Sequence, residues 1–239
     1  MNAQLRQVLA AVGLLCYATL HTSAVVYTPV DNSSYANKSI FDGDSLFINP
    51  ATYPSGDLTL GGVPFENVFQ RGAFWSAHFA PGVNPRVLEV SVSVFGATEV
   101  HSLMNTYWGQ FGPSSYAAVE FVGSDGAFYH QDLIGGVDLR DYNQNPSYPN
   151  TINGTTTTEV FNNSIGQRLD KQFFDLPASF ADETLTTIRF IDNGAADVQR
   201  IFVAGITVGA TQGVPDGGAT LALMGVAVGA LITLRRRIR

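Results

Sequence analysis

The sequence predicts an all-β fold, an antiparallel β-sandwich of jelly-roll-like arrangement, set between an N-terminal signal peptide and a C-terminal transmembrane helix. Three observations lead there. Residues 87–95 alternate strictly, with Leu88, Val90, Val92 and Val94 on one face and Glu89, Ser91 and Ser93 on the other, the every-other-residue period of a strand with one buried and one wet face. Further short apolar runs are separated by turn formers, as in Gly123-Ser124-Asp125-Gly126 and Asp192-Asn193-Gly194, where glycine and asparagine tolerate the backbone angles that reverse a chain. No stretch of residues 25–208 carries the helical period of about 3.6 residues over any length, so the strands must bury their apolar faces against one another, which two stacked antiparallel sheets achieve.

Taken in order, residues 1–24 open with a polar stretch carrying Arg6, continue through an apolar run from Val8 to Leu20 and reach Thr22-Ser23-Ala24. That order reads as a secretory signal peptide cut after Ala24, whose small side chain fits a signal-peptidase pocket; a buried N-terminal helix is the competing reading. Residues 25–213 are expected to form one β-sandwich domain. Its strands are predicted at 45–48, 57–60, 87–95, 117–122, 127–133, 173–177, 187–191 and 201–208, with a turn or two of helix at 178–184. Residues 140–168, rich in Asn, Thr, Gly and Pro, are predicted as a large loop crossed by an edge strand, and loops of that length are often functional. A domain of about 190 residues buries roughly 70% of its unfolded surface, enough to close a core without metal or crosslink.

Charge and cysteine usage narrow the function. The chain has 13 basic and 20 acidic residues, but Arg6, Arg235, Arg236, Arg237 and Arg239 lie at its ends. Between Val25 and Val214 that leaves 8 basic and 19 acidic residues, a net charge of −11. A domain of that sign repels phosphate backbones, which argues against a nucleic-acid partner. The sole cysteine, Cys16, sits in the leader, so disulfides, cysteine nucleophiles and thiolate metal sites are excluded from the mature domain.

Aromatic rings cluster with polar neighbours at Phe74-Trp75-Ser76-Ala77-His78-Phe79 and Met104-Asn105-Thr106-Tyr107-Trp108-Gly109. Rings stack on the apolar faces of pyranoses while nearby Asn, Asp and Arg side chains bond the hydroxyls, so Trp75, Tyr107 and Trp108 are candidate glycan contacts; in a two-sheet fold the same residues also serve as core plugs. Asp42-Gly43-Asp44 and Asp138-Leu139-Arg140-Asp141 place carboxylates in pairs. Asp42, Asp44, Asp138 and Asp141 are therefore candidate Ca²⁺ ligands, although neither segment matches a twelve-residue calcium loop and Asx-type turns use the same residues. His78, His101 and His130 lack zinc-site spacing. Neither a Gly-x-Ser-x-Gly elbow nor a phosphate loop is present, so no catalytic residue is assigned. The sequons at Asn32, Asn37, Asn153 and Asn162 fall in segments rich in turn formers and read as loop chemistry.

At the other end, residues 219–234 carry no charge and are followed at once by Arg235, Arg236 and Arg237. A run slightly shorter than the roughly 20 residues of a full membrane span, closed by arginines, predicts a short anchor with a cytoplasmic stop. Before it stands Val214-Pro215-Asp216-Gly217-Gly218-Ala219-Thr220, in which a proline and two glycines keep the backbone irregular where a protease can engage it. This motif, the apolar run and the arginine cluster together resemble the PEP-CTERM class of sorting signals, in the variant that begins Val-Pro-Asp. The resemblance covers residues 214–239. It implies an exosortase-type membrane protease as partner and places the chain among exported proteins of Gram-negative, polysaccharide-producing bacteria. Residues 168–208 separately resemble the last strands of galactose-binding-like, carbohydrate-binding-like sandwiches.

Together these readings predict an exported protein of the cell envelope, outer surface or extracellular matrix, anchored transiently in the inner membrane. Its role is expected to be structural or adhesive, with extracellular polysaccharide as a partner, without enzymatic activity, and without a cofactor other than Ca²⁺ at the acidic loops. A polysaccharide-acting hydrolase is the alternative.

Overall fold

The strictly alternating run becomes the edge of a sheet. In the computed structural model, which describes residues 24–111, 117–194 and 199–211, residues Val25–Thr211 form one compact unit. The strands in chain order are β1 Val25–Val30, β2 Lys38–Ser39, β3 Gly56–Leu60, β4 Val63–Val68, β5 Ala73–Ser76, β6 Arg86–Phe95, β7 Ala97–Tyr107, β8 Ala117–Gly123, β9 Phe128–Leu133, β10 Thr157–Asn162, β11 Arg168–Asp175, β12 Thr184–Asp192 and β13 Arg200–Thr211. They make an all-β, antiparallel architecture. A four-stranded sheet has the order β6-β12-β8-β9, a seven-stranded sheet the order β10-β11-β7-β13-β5-β2 with β1 also on β13, and β3 pairs with β4 as a hairpin.

The main core lies between the two larger sheets. Leu88, Val90 and Val94 of β6, Phe121 of β8 and Leu185, Ile188 and Phe190 of β12 meet Val100 and Met104 of β7, Phe174 of β11 and Ile201, Val203, Ile206 and Val208 of β13. A second apolar cluster covers the opposite face of the large sheet, where Leu103 and Tyr107 of β7 and Phe202 and Ala204 of β13 pack under Phe65 and Val68 of β4 and under Ile40, Tyr53 and Tyr142. The large sheet is thus buried on both faces, which is why β13 reads as a nearly continuous apolar run rather than an alternating one. At Gly205 the packing is close enough that a Cβ would meet Leu103 Cδ1 and Phe65 Cδ1 at 3.0 Å.

Phe47 keys the second cluster. Its ring contacts Tyr53, Phe69, Phe74, Tyr107, Tyr142 and Phe202 at centroid separations of 5.1–5.8 Å, mostly edge to face, the geometry that aromatic quadrupoles prefer. The strand predicted at 45–48 is therefore an irregular segment. Leu46 has a φ of 71°, outside any strand conformation, and the segment is held by side chains instead of a ladder: the Tyr107 hydroxyl donates to Ser45 O at 3.2 Å and the Tyr142 hydroxyl to Leu46 O at 2.8 Å.

The predicted strands at 57–60, 87–95, 117–122, 187–191 and 201–208 lie inside β3, β6, β8, β12 and β13, that at 127–133 begins one residue before β9, and that at 173–177 overlaps only the last residues of β11. β10 is the edge strand expected within the long loop, and the segment at 178–184 supplies one 3-10 turn, Ala178–Phe180. Among the described residues no helix is long and apolar enough to cross a membrane. The leader, the sorting motif, the predicted span at 219–234 and Arg235, Arg236 and Arg237 lie outside the described residues.

Candidate functional site

β7 runs 11 residues through the centre of the large sheet and ends at Tyr107. Beyond it the backbone turns sharply: Trp108 has a φ of 51°. A bulky residue in the left-handed region costs about 1–2 kcal/mol, so the surroundings must fix it there. Gly109 is the first clamp, its N–H donating to Asp141 Oδ2 at 3.1 Å. A Cβ at Gly109 would come within 2.7 Å of Thr106 Oγ1 and 3.3 Å of Asp141 N. Gly109→Ala is expected to lose about 1–3 kcal/mol through this overpacking, read as a lowered thermal midpoint; a variant that melts with the wild type would show that the turn yields freely.

The second clamp is the loop that starts at Arg140. Thr106 N donates to Arg140 O at 3.1 Å and Tyr142 N to Thr106 O at 3.0 Å, lacing residues 140–142 to β7, and Arg168 N donates to Tyr142 O at 2.9 Å. Beyond Tyr142 the chain is shaped by Asx turns, with Asn143 N donating to Asp141 Oδ1 at 2.8 Å and Ser147 N to Asn145 Oδ1 at 2.9 Å. Short polar side chains replace a ladder here because they bond the backbone two residues on.

These segments enclose a pocket of about 260 Å³. Tyr107, Trp108, Tyr142 and Tyr148 give it rings, Leu46 and Ile48 aliphatic surface, and Asp141, Asn143 and Asn145 polar groups. Trp108 is also met by the His78 ring at 5.4 Å and by Tyr107 at 5.9 Å. Among the described residues the Trp108 indole N–H, the Tyr148 hydroxyl, the Asn143 side-chain amide and the Asn145 amide nitrogen take no protein hydrogen-bond partner. Asp141 differs. Its side chain is buried, both oxygens accept from backbone N–H groups, and burial foremost pushes its pKa up from 3.8 to about 6 against the pull of those bonds.

A buried polar network backs the pocket. The Arg140 guanidinium meets Asp170 with two bonds, Nε to Oδ2 at 2.7 Å and Nη2 to Oδ1 at 2.6 Å, and Nη2 also reaches Glu159 at 2.7 Å. Burial works against that charge, but the two carboxylates outweigh it and raise the Arg140 pKa. Arg168 donates from Nε to Asp141 O at 2.9 Å and from Nη2 to Asn143 O at 3.3 Å and to the Asn150 side-chain oxygen. Its pKa is lowered by burial first and by the neighbouring Arg140 charge second.

The sequence candidates therefore divide. Trp108 and Tyr107 line the pocket, although Tyr107 is 2% exposed and offers little but its edge. Trp75 is corrected to a core residue: it is 4% exposed between the two large sheets, because β5 turns it toward Val203 of β13. Tyr142, Asn143, Asn145 and Tyr148 were not singled out; the signal was Tyr142-Asn143-Gln144-Asn145 followed by Tyr148, aromatic and amide residues interleaved inside the long loop.

The carboxylate pairs have other partners. Asp42 and Asp44 hold the Lys38 ammonium at 3.3 and 2.5 Å. Asp138 accepts from Ile134 N at 3.0 Å and from the Asn153 amide at 3.1 Å, while Asp141 is committed below the pocket. Among the described residues no group of three or more His, Cys, Asp or Glu side chains stands close enough together to hold a metal ion.

Comparison with known proteins bears on the tail. No curated protein matches the chain. The VPDSG-CTERM motif matches residues 213–238, with Gly217 standing where the motif's name has serine. The chain thus carries a PEP-CTERM-like sorting tag, which supports export, association with the cell envelope and processing by a sorting protease of the exosortase type.

Proposed function

We propose that this is a structural or adhesive protein of the outer surface or extracellular matrix that contacts extracellular polysaccharide through the Trp108 pocket. On this reading residues 1–24 are removed on export, residues 25–213 form a jelly-roll-like sandwich of the carbohydrate-binding, galactose-binding-like kind, and residues 214–239 anchor the chain transiently in the inner membrane until it is sorted. One observation carries the glycan assignment: ring surface and uncommitted hydrogen-bonding groups converge in one concave site, with Trp108 and Tyr148 beside Asn143 and Asn145. A pyranose has the matching chemistry, an apolar face of C–H groups and a rim of hydroxyls.

The pocket suits binding better than hydrolysis. Glycoside hydrolysis generally uses two carboxyl groups across the scissile bond, and among the described residues the pocket is lined by one carboxylate, Asp141, both of whose oxygens are already bonded to backbone N–H groups.

The test is binding of the purified full-length protein to a panel of neutral and acidic polysaccharides, compared with Trp108→Gly. Glycine accepts the 51° φ of this position without strain, so the variant is expected to fold. It should bind at least about tenfold more weakly, as fits the loss of a stacking ring. Unchanged binding in the folded variant would overturn the assignment, and release of reducing ends from a bound polymer would favour the hydrolase.

A further inference from the structure

We propose that the Trp108 pocket selects uncharged sugars and excludes uronic acids and other anionic residues, a selectivity that rests on the glycan-binding reading above. The pocket wall combines rings, aliphatic side chains and the amides of Asn143 and Asn145, and among the described residues its charged group is the acid Asp141. Among the described residues that line it there is no lysine or arginine.

The two cations behind the wall already face the carboxylates of Asp170, Glu159 and Asp141. Arg140 is locked to Asp170 and Glu159. Arg168 is buried, with Nε and Nη2 committed to the carbonyls of Asp141 and Asn143 and to Asn150. A carboxylate ligand would give up its hydration to enter and meet no donor with a compensating charge, while Asp141 adds repulsion. Such uncompensated burial of charge is strongly unfavourable. A neutral pyranose loses little, because the indole N–H, the tyrosine hydroxyl and the amides replace the water it leaves.

Long-range repulsion by the acidic domain would also disfavour anions, and salt separates the two causes. At 1 M salt the screening length falls to about 3 Å, which removes the surface effect but not a desolvation penalty inside a pocket. The experiment is a ligand-observed NMR titration of the full-length protein at 1 M salt. Its probes are matched pairs that differ only at C6: methyl glucoside against methyl glucuronide, and methyl galactoside against methyl galacturonide.

The neutral member of a pair should bind at least about tenfold more tightly, and Asp141→Asn should shrink the ratio by leaving the Arg168 charge less opposed. Equal or tighter binding of the acidic member by the wild type would overturn the selectivity while leaving the glycan reading in place. If neither member of either pair binds and the polysaccharide panel is also silent, the glycan reading itself fails, and the selectivity falls with it. Binding of a neutral sugar that survives Trp108→Gly would place recognition elsewhere and overturn both.

Discussion

Replacing Arg140 with methionine is expected to destabilise the domain by about 3–5 kcal/mol, the loss that follows when one partner of a buried ion pair is removed. Asp170 is 1% exposed. Its carboxylate is shared between the Arg140 guanidinium and the Asn105 amide, which donates to Oδ2 at 2.7 Å while Asp170 N donates back to Asn105 Oδ1 at 2.9 Å. Methionine fills much of the arginine stem but leaves that carboxylate with one amide in a nearly dry site. The loss should appear as a lower urea midpoint with an unchanged slope. Arg140→Met combined with Asp170→Leu should recover most of it, because the penalty lies in the orphaned charge rather than in the absence of the pair. Arg189→Met is the contrast. Arg189 pairs with Glu89 and Glu120 on the solvent-facing side of the small sheet, where ion pairs contribute little, so its midpoint should not move measurably. An Arg140→Met midpoint within error of the wild type would mean that water reaches Asp170 as freely as it reaches the surface.

The same network explains what was legible in the sequence and what was not. β6 could be read residue by residue because it has one wet face, where Glu89, Ser91 and Ser93 stay polar and the alternation survives. β7 could not. From Val100 to Tyr107 every residue is buried, and His101, Ser102, Asn105 and Thr106 are polar residues in the interior. Their partners sit on other strands and loops: Ser102 donates to Gln172 at 3.0 Å, and Asn105 exchanges bonds with Asp170. Sequence periodicity assumes that polar means exposed, and a buried polar network breaks that assumption. Phe47 is a similar case, since a short apolar run reads as a strand whether it enters a sheet or plugs a cluster. At the site, Trp108 was legible as an aromatic among polar neighbours, but Trp75 carried the same local signal and is core. What separates them is which side of a sheet each faces and a loop more than thirty residues further along the chain, and neither is a local property.

Acid is expected to stabilise this domain through two buried carboxyl groups, against the usual direction. Asp141 and Asp192 are both fully buried, and burial is the main cause that pushes each pKa from 3.8 up to about 6. Backbone N–H groups oppose the shift: Asp192 accepts from Gly194 N at 2.7 Å and from Ile201 N at 2.6 Å, and Asp141 from Gly109 and Asn143. A carboxyl whose pKa is higher folded than unfolded binds more protons in the native state between those two values, so stability falls as pH rises from about 4 to about 6. With about 1.4 kcal/mol for each pKa unit, each group should cost roughly 3 kcal/mol above pH 6 that is absent below pH 4. Other groups act oppositely. His101 is buried against Glu99 and its pKa is lowered, chiefly by burial, so its protonation below pH 6.5 removes stability as pH falls. Subtracting curves isolates the carboxyls, because His101 contributes equally to wild type and variant. The stability of Asp141→Asn relative to wild type should therefore rise by roughly 3 kcal/mol between pH 4 and pH 7, and likewise for Asp192→Asn. Each variant pays a constant offset of about 1–3 kcal/mol for turning an acceptor into a donor opposite an N–H, which shifts the difference curve without changing its slope. A flat difference would mean that the N–H bonds cancel the burial penalty. A difference that fell with pH would mean that they exceed it, making these carboxylates anion sites preformed by the backbone.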